Sequence, residues 1–344
     1  MILVTGGTGL VGSHLLYDLA KCGYRVRALK REESNLGLVH KVFSYYTSSP
    51  ESLLNLIEWV DADIMDAASL EEAMQGCMKV YHCAAVVSFV PNHRKEMLLV
   101  NVEGTANVVN ACLQMNIQKL CHVSSIASLG RNSTAAVVTE ETHWKTSPQN
   151  SWYAISKYGA EREVWRGAEE GLNVVVVNPS VIIGPGDWSK GSIALFKTAS
   201  KGLKYYTRGQ TGYVDVRDVS RAMIALMESD LNGERYLLNA ANLPFRTFFD
   251  MLHRQFRKPD ARISVGPALA EFAWRVEKLR AALGQRQPVI TRETARAANY
   301  SYTFSSEKIR NALGFQFTPI ENSVREICEL YLKDASPHVP GAHH

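Results

Sequence analysis

Over the first half of the chain, short apolar runs rich in β-branched residues alternate with segments of helical periodicity. Residues 2–4 predict a strand, and 11–22 a helix with Leu15, Leu16 and Leu19 on one face. Further strands are predicted at 24–29, 80–84, 119–124 and 173–178, with helices at 69–75, 96–115 and 152–170 between them. Strands alternating with helices imply an α/β fold with a parallel sheet covered on both faces. The run Val174-Val175-Val176-Val177 is apolar at every position, as a central strand buried on both faces requires.

The second half is less regular. Pro179, Pro185 and Gly186 interrupt the pattern directly after the valine strand. Helices are predicted at 193–201 and 219–228, strands at 212–216 and 236–239, and an amphipathic helix at 264–283 that stops at Gly284. Two more helices, at 307–313 and 321–332, lead to a tail expected to be disordered from Ser336. The expected layout is a sheet domain of 1–178 plus about 213–241. A smaller part, 179–212 and 242–335, is woven into it, and 336–344 form the tail. No Gly/Ser linker separates the two parts, so they are expected to share an interface.

Composition narrows the function classes. The 344 residues are 46% hydrophobic and 21% charged, ordinary for a globular protein, and the net charge of +4 does not demand a nucleic-acid partner. The basic runs at 254–258 and 275–286 read as solvated helix faces. Six scattered cysteines form no C-x-x-C pair and no histidine cluster has zinc spacing, so no metal site is expected. Free cysteines inside apolar runs fit a reducing, cytoplasmic setting. A first strand starting at Ile2 leaves no room for a signal peptide, and no apolar run reaches membrane-spanning length.

The chemistry begins at the first strand–helix junction. Thr5-Gly6-Gly7-Thr8-Gly9-Leu10-Val11-Gly12 satisfies both G-x-G-x-x-G (Gly7, Gly9, Gly12) and G-x-x-G-x-x-G (Gly6, Gly9, Gly12). In either reading the glycines allow a tight turn, close approach of backbone to a pyrophosphate, and close helix packing. The phosphates then meet the positive end of the helix. In dinucleotide sites an acidic residue about 20 positions on holds the ribose of NAD. Here Lys30 and Arg31 stand at the end of the second strand, followed by Glu32 and Glu33. The basic pair favours the 2′-phosphate of NADP. The alternative, NAD, has Glu32 or Glu33 reaching the ribose while Lys30 and Arg31 face solvent.

Tyr153 and Lys157 lie four apart in a helical stretch and therefore share a face. A free phenol has a pKa of ~10 and must come down toward neutrality to act as a general acid/base. A neighbouring ammonium is expected to lower it. Ser124 and Ser125 close the strand at 119–124, at the carboxyl end where open α/β sheets bind ligands. A hydroxyl there can hold a substrate oxygen, although a Ser pair at a strand end also serves as a turn or cap.

T-G-G-T-G-L-V-G at 5–12, V-S-S at 123–125 and Y-A-I-S-K at 153–157 together resemble the extended short-chain dehydrogenase/reductase family. So do Asp63-Ile64, His82-Cys83-Ala84-Ala85, Asn101-Val102-Glu103-Gly104-Thr105, and the run from Phe304 through Leu313-Gly314-Phe315. The resemblance covers about 1–332 and implies a Rossmann-type doubly wound sheet with a C-terminal substrate part. It makes Ser125, Tyr153 and Lys157 the catalytic residues, with Tyr153 as acid/base and Lys157 on the ribose. For the cofactor it implies contacts from Gly6, Thr8, Gly9, Leu10, Val11, Gly12, Lys30, Arg31, Asp63, Ile64, Ala84, Ala85, Ser124, Pro179 and Val181. Asn101 takes either a cofactor or a supporting role. A homodimer through helices near 96–115 and 152–170 is a further expectation from the resemblance.

Sugar-nucleotide epimerases and dehydratases of this family carry asparagine in R-P-x-N, where this chain has Asn178-Pro179-Ser180-Val181. The stretch instead resembles dihydroflavonol reductases and their cinnamoyl-CoA and hydroxysteroid relatives. Glu140 to Trp144, Trp152, Ala160-Glu161 and Arg31 point the same way. That branch implies hydride transfer from NADPH to a ketone or aldehyde of a small apolar or aromatic molecule, with NAD as the second cofactor option. Val87, Ser88, Phe89, Phe196, Tyr206 and Tyr213 are candidates for the substrate pocket, or equally for the core. The alternatives are an NAD-dependent sugar-nucleotide epimerase/dehydratase and a non-catalytic dinucleotide sensor.

Overall fold

A computed structural model describes residues 1–88, 91–130, 137–147, 150–266, 271, 274–275 and 299–336. Seven strands form one parallel sheet: β1 (Ile2–Thr5), β2 (Val26–Lys30), β3 (Ile57–Asp61), β4 (Lys79–His82), β5 (Lys119–Val123), β6 (Val174–Pro179) and β10 (Glu234–Leu238). Their order is β10-β6-β5-β4-β1-β2-β3, and every neighbouring pair is parallel. The chain winds outward from β1 in both directions, so the order reverses between β1 and β4. Ligands in open α/β sheets bind at such a crevice.

The valine run shows why this sheet is covered twice. Val175 and Val177 point into one core with Leu15, Leu16 and Leu19 of α1 (Leu10–Lys21) and Met223 and Leu226 of α9 (Val216–Glu228). Val174 and Val176 point into the other, with Leu70, Val108, Val109, Cys112 and Val164. Side chains alternate along a strand, so an all-apolar strand needs helices on both faces.

The helix expected at 96–115 is interrupted. Arg94–Leu98 and Gly104–Gln114 are α-helical, and Leu99–Glu103 between them is a π-helical turn. It carries Asn101, and such turns re-aim side chains at functional positions.

A smaller layer is built from β7 (Val181–Ile183), β9 (Gln210–Asp215) and β11 (Ala241–Pro244), in the order β11-β9-β7. The strand expected at 212–216 therefore pairs here, not in the large sheet. The return to the large sheet runs from Val216 to Leu238. Helix Glu307–Leu313 also packs against the large sheet, placing Ile309 in the α1–α9 core. Phe196, Tyr213, Phe248, Ile320, Val324 and Ile327 form the small layer's own core, with Phe248 stacked on Tyr213 at 4.2 Å.

Val265 ends a strand, Ile263–Val265, paired with Tyr205–Thr207. The helix expected at 264–283 begins on this strand and otherwise falls almost wholly outside the described residues, as does the tail beyond Ser336. Among the described residues no helix is long and apolar enough to cross a membrane.

Phe248→Ala is expected to cost about 3–5 kcal/mol, because a buried stacked ring leaves a cavity. Thermal unfolding checks this, with Phe248→Leu recovering part of the loss.

Candidate active site

The glycine loop is fixed by contacts that no side chain would tolerate. Gly6 has φ +68°, and a Cβ there would lie 2.6 Å from Ala84 N. A Cβ on Gly12 would lie 2.1 Å from Gly6 O. Gly9 N–H donates to Gly6 O at 3.0 Å and closes the turn. The tightest contacts thus fall on Gly6 and Gly12, which selects the G-x-x-G-x-x-G register. Gly7 has a different job, accommodating Leu16 Cδ1 3.0 Å from where its Cβ would be. Helix α1 has no side-chain cap and no acidic residue in its first turn. Its free N–H groups over Leu10, Val11 and Gly12, with partly exposed Thr8 and exposed Gly9 before them, could hold an anion.

At the adenosine end the two basic residues behave differently. Lys30 lies directly opposite Asp61 on β3 and is ion-paired with it. The Arg31 side chain is exposed and has no ion pair among the described residues. Arg31, Glu32, Glu33, Asp61, Asp63 and Asp66 line one open depression. Asp63 accepts from Met65 N–H at 2.9 Å, and Ile64 is buried against Gly104 with its carbonyl held by Asn107.

A buried chain of hydrogen bonds sets the loop after β4. It runs from Ala84 N–H through Thr5 Oγ1, His82 and Thr105 Oγ1 to the Asn101 carbonyl. The Asn101 side chain accepts from Val86 N–H at 2.7 Å, donates to Val86 O at 2.9 Å and reaches Ser156 Oγ at 3.0 Å. Asn101 therefore ties the loop of Ala84 and Ala85 to the helix α7 (Trp152–Glu169) that carries Tyr153 and Lys157.

Ser125 follows β5, and its hydroxyl faces the Tyr153 phenol closely enough to pull the phenol's pKa down. Burial pushes the phenol above its ordinary range, with the Ser125 hydroxyl pulling the other way. The expected lowering by Lys157 is not found in this structure. The ammonium donates instead to Val123 O at 2.7 Å. Lys157 is 2% exposed, and burial brings its own pKa down to about 8 against the opposing pull of the Glu161 carboxylate.

The remaining sequence candidates scatter. The Ser124 hydroxyl is held in the interior, donating to Glu161 at 2.6 Å. Pro179 ends β6 in the core and Val181 opens β7. Phe196 is 0% exposed and, with Tyr213, belongs to the small layer's core, so neither offers a surface to a ligand. Ser88 lies 3.1 Å from His93 Nδ1, and Arg246 covers the Tyr206 ring. Phe89 lies outside the described residues. Sequence reasoning gave no role to Asn178, Arg235 or Glu161. The only signal was the spacing of Glu161, one turn beyond Lys157.

Residues 2–239 match the NAD dependent epimerase/dehydratase family. A dihydroflavonol 4-reductase-like protein of Synechocystis sp. is 30% identical over 332 residues, covering 94% of this chain and 92% of that protein. Cinnamoyl-CoA reductase 1 of Oryza sativa is 28% identical over 338 residues, covering 95% and 88%. The crystal structure of gox2253 superposes with a TM-score of 0.80 at 29% identity, over 97% of this chain and 98% of that one. A Thermotoga maritima UDP-glucose 4-epimerase shares the fold, with a TM-score of 0.75 at 19% identity, over 97% and 99% of the two chains. The chain belongs to the NAD-dependent epimerase/dehydratase family and is an NAD(P)-dependent oxidoreductase of the extended short-chain dehydrogenase/reductase type.

Proposed function

We propose that the protein uses NADPH to reduce a ketone or aldehyde on a small apolar or aromatic molecule. The carrying observation is the Tyr153 phenol facing the Ser125 hydroxyl, with Lys157 one helical turn away on the same helix. The phenol holds its proton at neutral pH and so has one to give, as carbonyl reduction requires, while the rise caused by burial works against its release until a bound cofactor changes the surroundings. The names of the relatives, dihydroflavonol 4-reductase and cinnamoyl-CoA reductase, support reduction of a small molecule.

The residues fit a dinucleotide. The uncapped N-terminus of α1 and the Cβ-intolerant Gly6 and Gly12 leave room for backbone N–H groups against a pyrophosphate. A bound nicotinamide supplies the hydride for the carbonyl carbon. Ser125 Oγ holds the carbonyl oxygen, and Tyr153 Oη delivers the proton to it. Lys157 Nζ, already aimed by Val123 O, offers its remaining N–H groups to ribose hydroxyls. Asn101 holds the loop of Ala84 and Ala85 in register with these groups.

Arg31 supports NADPH, being the basic residue of the pair that has no carboxylate partner among the described residues. The carboxylates around it favour a second reading, NAD, with Glu32, Glu33 or Asp63 on the ribose. Steady-state kinetics with both cofactors separate the two. Under the first reading Arg31→Ala raises the KM for NADPH about 10- to 100-fold, the value of a charge-assisted contact, and leaves that for NADH nearly unchanged. An unchanged NADPH KM overturns the assignment.

Tyr153→Phe is expected to lower kcat about 10²–10⁴-fold while NADPH affinity, read by fluorescence titration, holds. No turnover of a broad carbonyl panel by the native protein would sink the reductase reading.

The pH dependence follows from Lys157. It carries a proton below about pH 8 and loses it above, so kcat/KM is expected to fall as pH rises through that value. A pH–rate profile checks the limb, which Lys157→Met should abolish along with most activity.

A further inference from the structure

Glu161 lies in α7 one turn beyond Lys157, is 2% exposed, and accepts hydrogen bonds on both oxygens. Oε2 receives Ser124 Oγ at 2.6 Å, Ser128 Oγ at 2.7 Å and Asn178 Nδ2 at 2.9 Å. Oε1 receives Arg235 Nη1 at 3.1 Å and Trp165 Nε1 at 3.3 Å. The donors come from the end of β5, the turn Ile126–Ser128, β6, β10 and α7 itself. Asn178 also donates to the Ser125 carbonyl at 3.2 Å, so the same cluster reaches the backbone of the residue that meets Tyr153.

The surroundings of Lys157 explain why this carboxylate matters. His82 on β4 is held neutral by burial, its pKa brought down to about 3, and His122 on β5 is lowered likewise. The Cys83 thiol is pushed up to about 12 and stays protonated. Tyr153, on the same helix, is a neutral phenol. Of the described groups acting on the ammonium, Glu161 is therefore the one that brings full negative charge.

We propose that Glu161 is a positioning residue of the active site: its buried carboxylate, paired with Arg235 and set one helical turn beyond Lys157, keeps Lys157 charged and ties the catalytic helix to the ends of β5 and β6. This deepens the proposed function, since it rests on Lys157 serving the cofactor. The charge order along the cluster is Lys157 positive, Glu161 negative, Arg235 positive. Removing the middle charge leaves Lys157 unsupported. Removing the outer cation frees more of the carboxylate's field for Lys157. The two changes must therefore move its titration in opposite directions, which a loosening of the fold would not do.

The test is a titration of the Lys157 Nζ by NMR in lysine-labelled, cofactor-free protein, the signal assigned with Lys157→Met. Glu161→Gln should lower the midpoint by about one pH unit, the scale of a neighbouring opposite charge. Arg235→Gln, at a more exposed side chain, should raise it by a smaller amount. Midpoints that coincide with the native protein, or that shift the same way in both variants, overturn the inference. If Glu161→Gln does not fold by circular dichroism, the direction seen in Arg235→Gln decides alone. NADPH affinity measured across the same pH range keeps the two claims apart. Midpoints that move as expected while affinity ignores them leave Glu161 in place and defeat the reading of Lys157 as a cofactor contact.

Discussion

Four separate segments of sheet and turn meet α7 at the buried Glu161 carboxylate, and the geometry of the site depends on that junction. A carboxylate out of water is strongly unfavourable unless donors replace its hydration. Here four neutral side-chain donors and a guanidinium do so. Breaking one partner of such a buried pair typically costs about 3–5 kcal/mol, because the remaining charge is left uncompensated. The cluster thus holds the start of the 125–128 turn, the end of β6 and the catalytic helix in one arrangement. Ser125, Tyr153 and Lys157 inherit their relative placement from it.

The cofactor side is governed by close packing of backbone. Gly6 sits where its missing Cβ would strike Ala84, and Gly12 where it would strike Gly6. These approaches bring β1, the loop after β4 and the N-terminus of α1 together at the point where strand order reverses. Behind them Thr5, His82, Thr105 and Asn101 form an unbroken hydrogen-bonded chain that ends, through Ser156, on the catalytic helix. The glycine loop and the helix of Tyr153 and Lys157 are therefore parts of one connected framework, which suits the proposed reaction, where donor and acceptor need a fixed relation.

Much of this was legible in residue order. Alternation of apolar runs with helical periodicity gave the parallel sheet, because a doubly buried strand must be apolar at every position, as 174–177 are. The glycine spacing and the Tyr153–Lys157 separation are local patterns, and local patterns survive folding unchanged. Asn101 was noticed, but its role needed the π-turn that aims it. The strand at 210–215 was legible as a strand yet was assigned to the wrong sheet, since its partners, β7 and β11, are distant in sequence.

By itself the sequence determined the alternation of strands and helices and marked the glycine loop and the proposed trio of Ser125, Tyr153 and Lys157, each carried by residues within a turn or two of one another or at a strand's end. Only the tertiary structure separated Lys30, neutralised by Asp61 across the sheet, from Arg31, which has no ion pair among the described residues. Only it placed Phe196 in the core and drew Glu161, Asn178 and Arg235 together. The reason is physical: charge pairing and burial depend on distances between segments, and those distances exist only once the sheet has brought remote parts of the chain side by side.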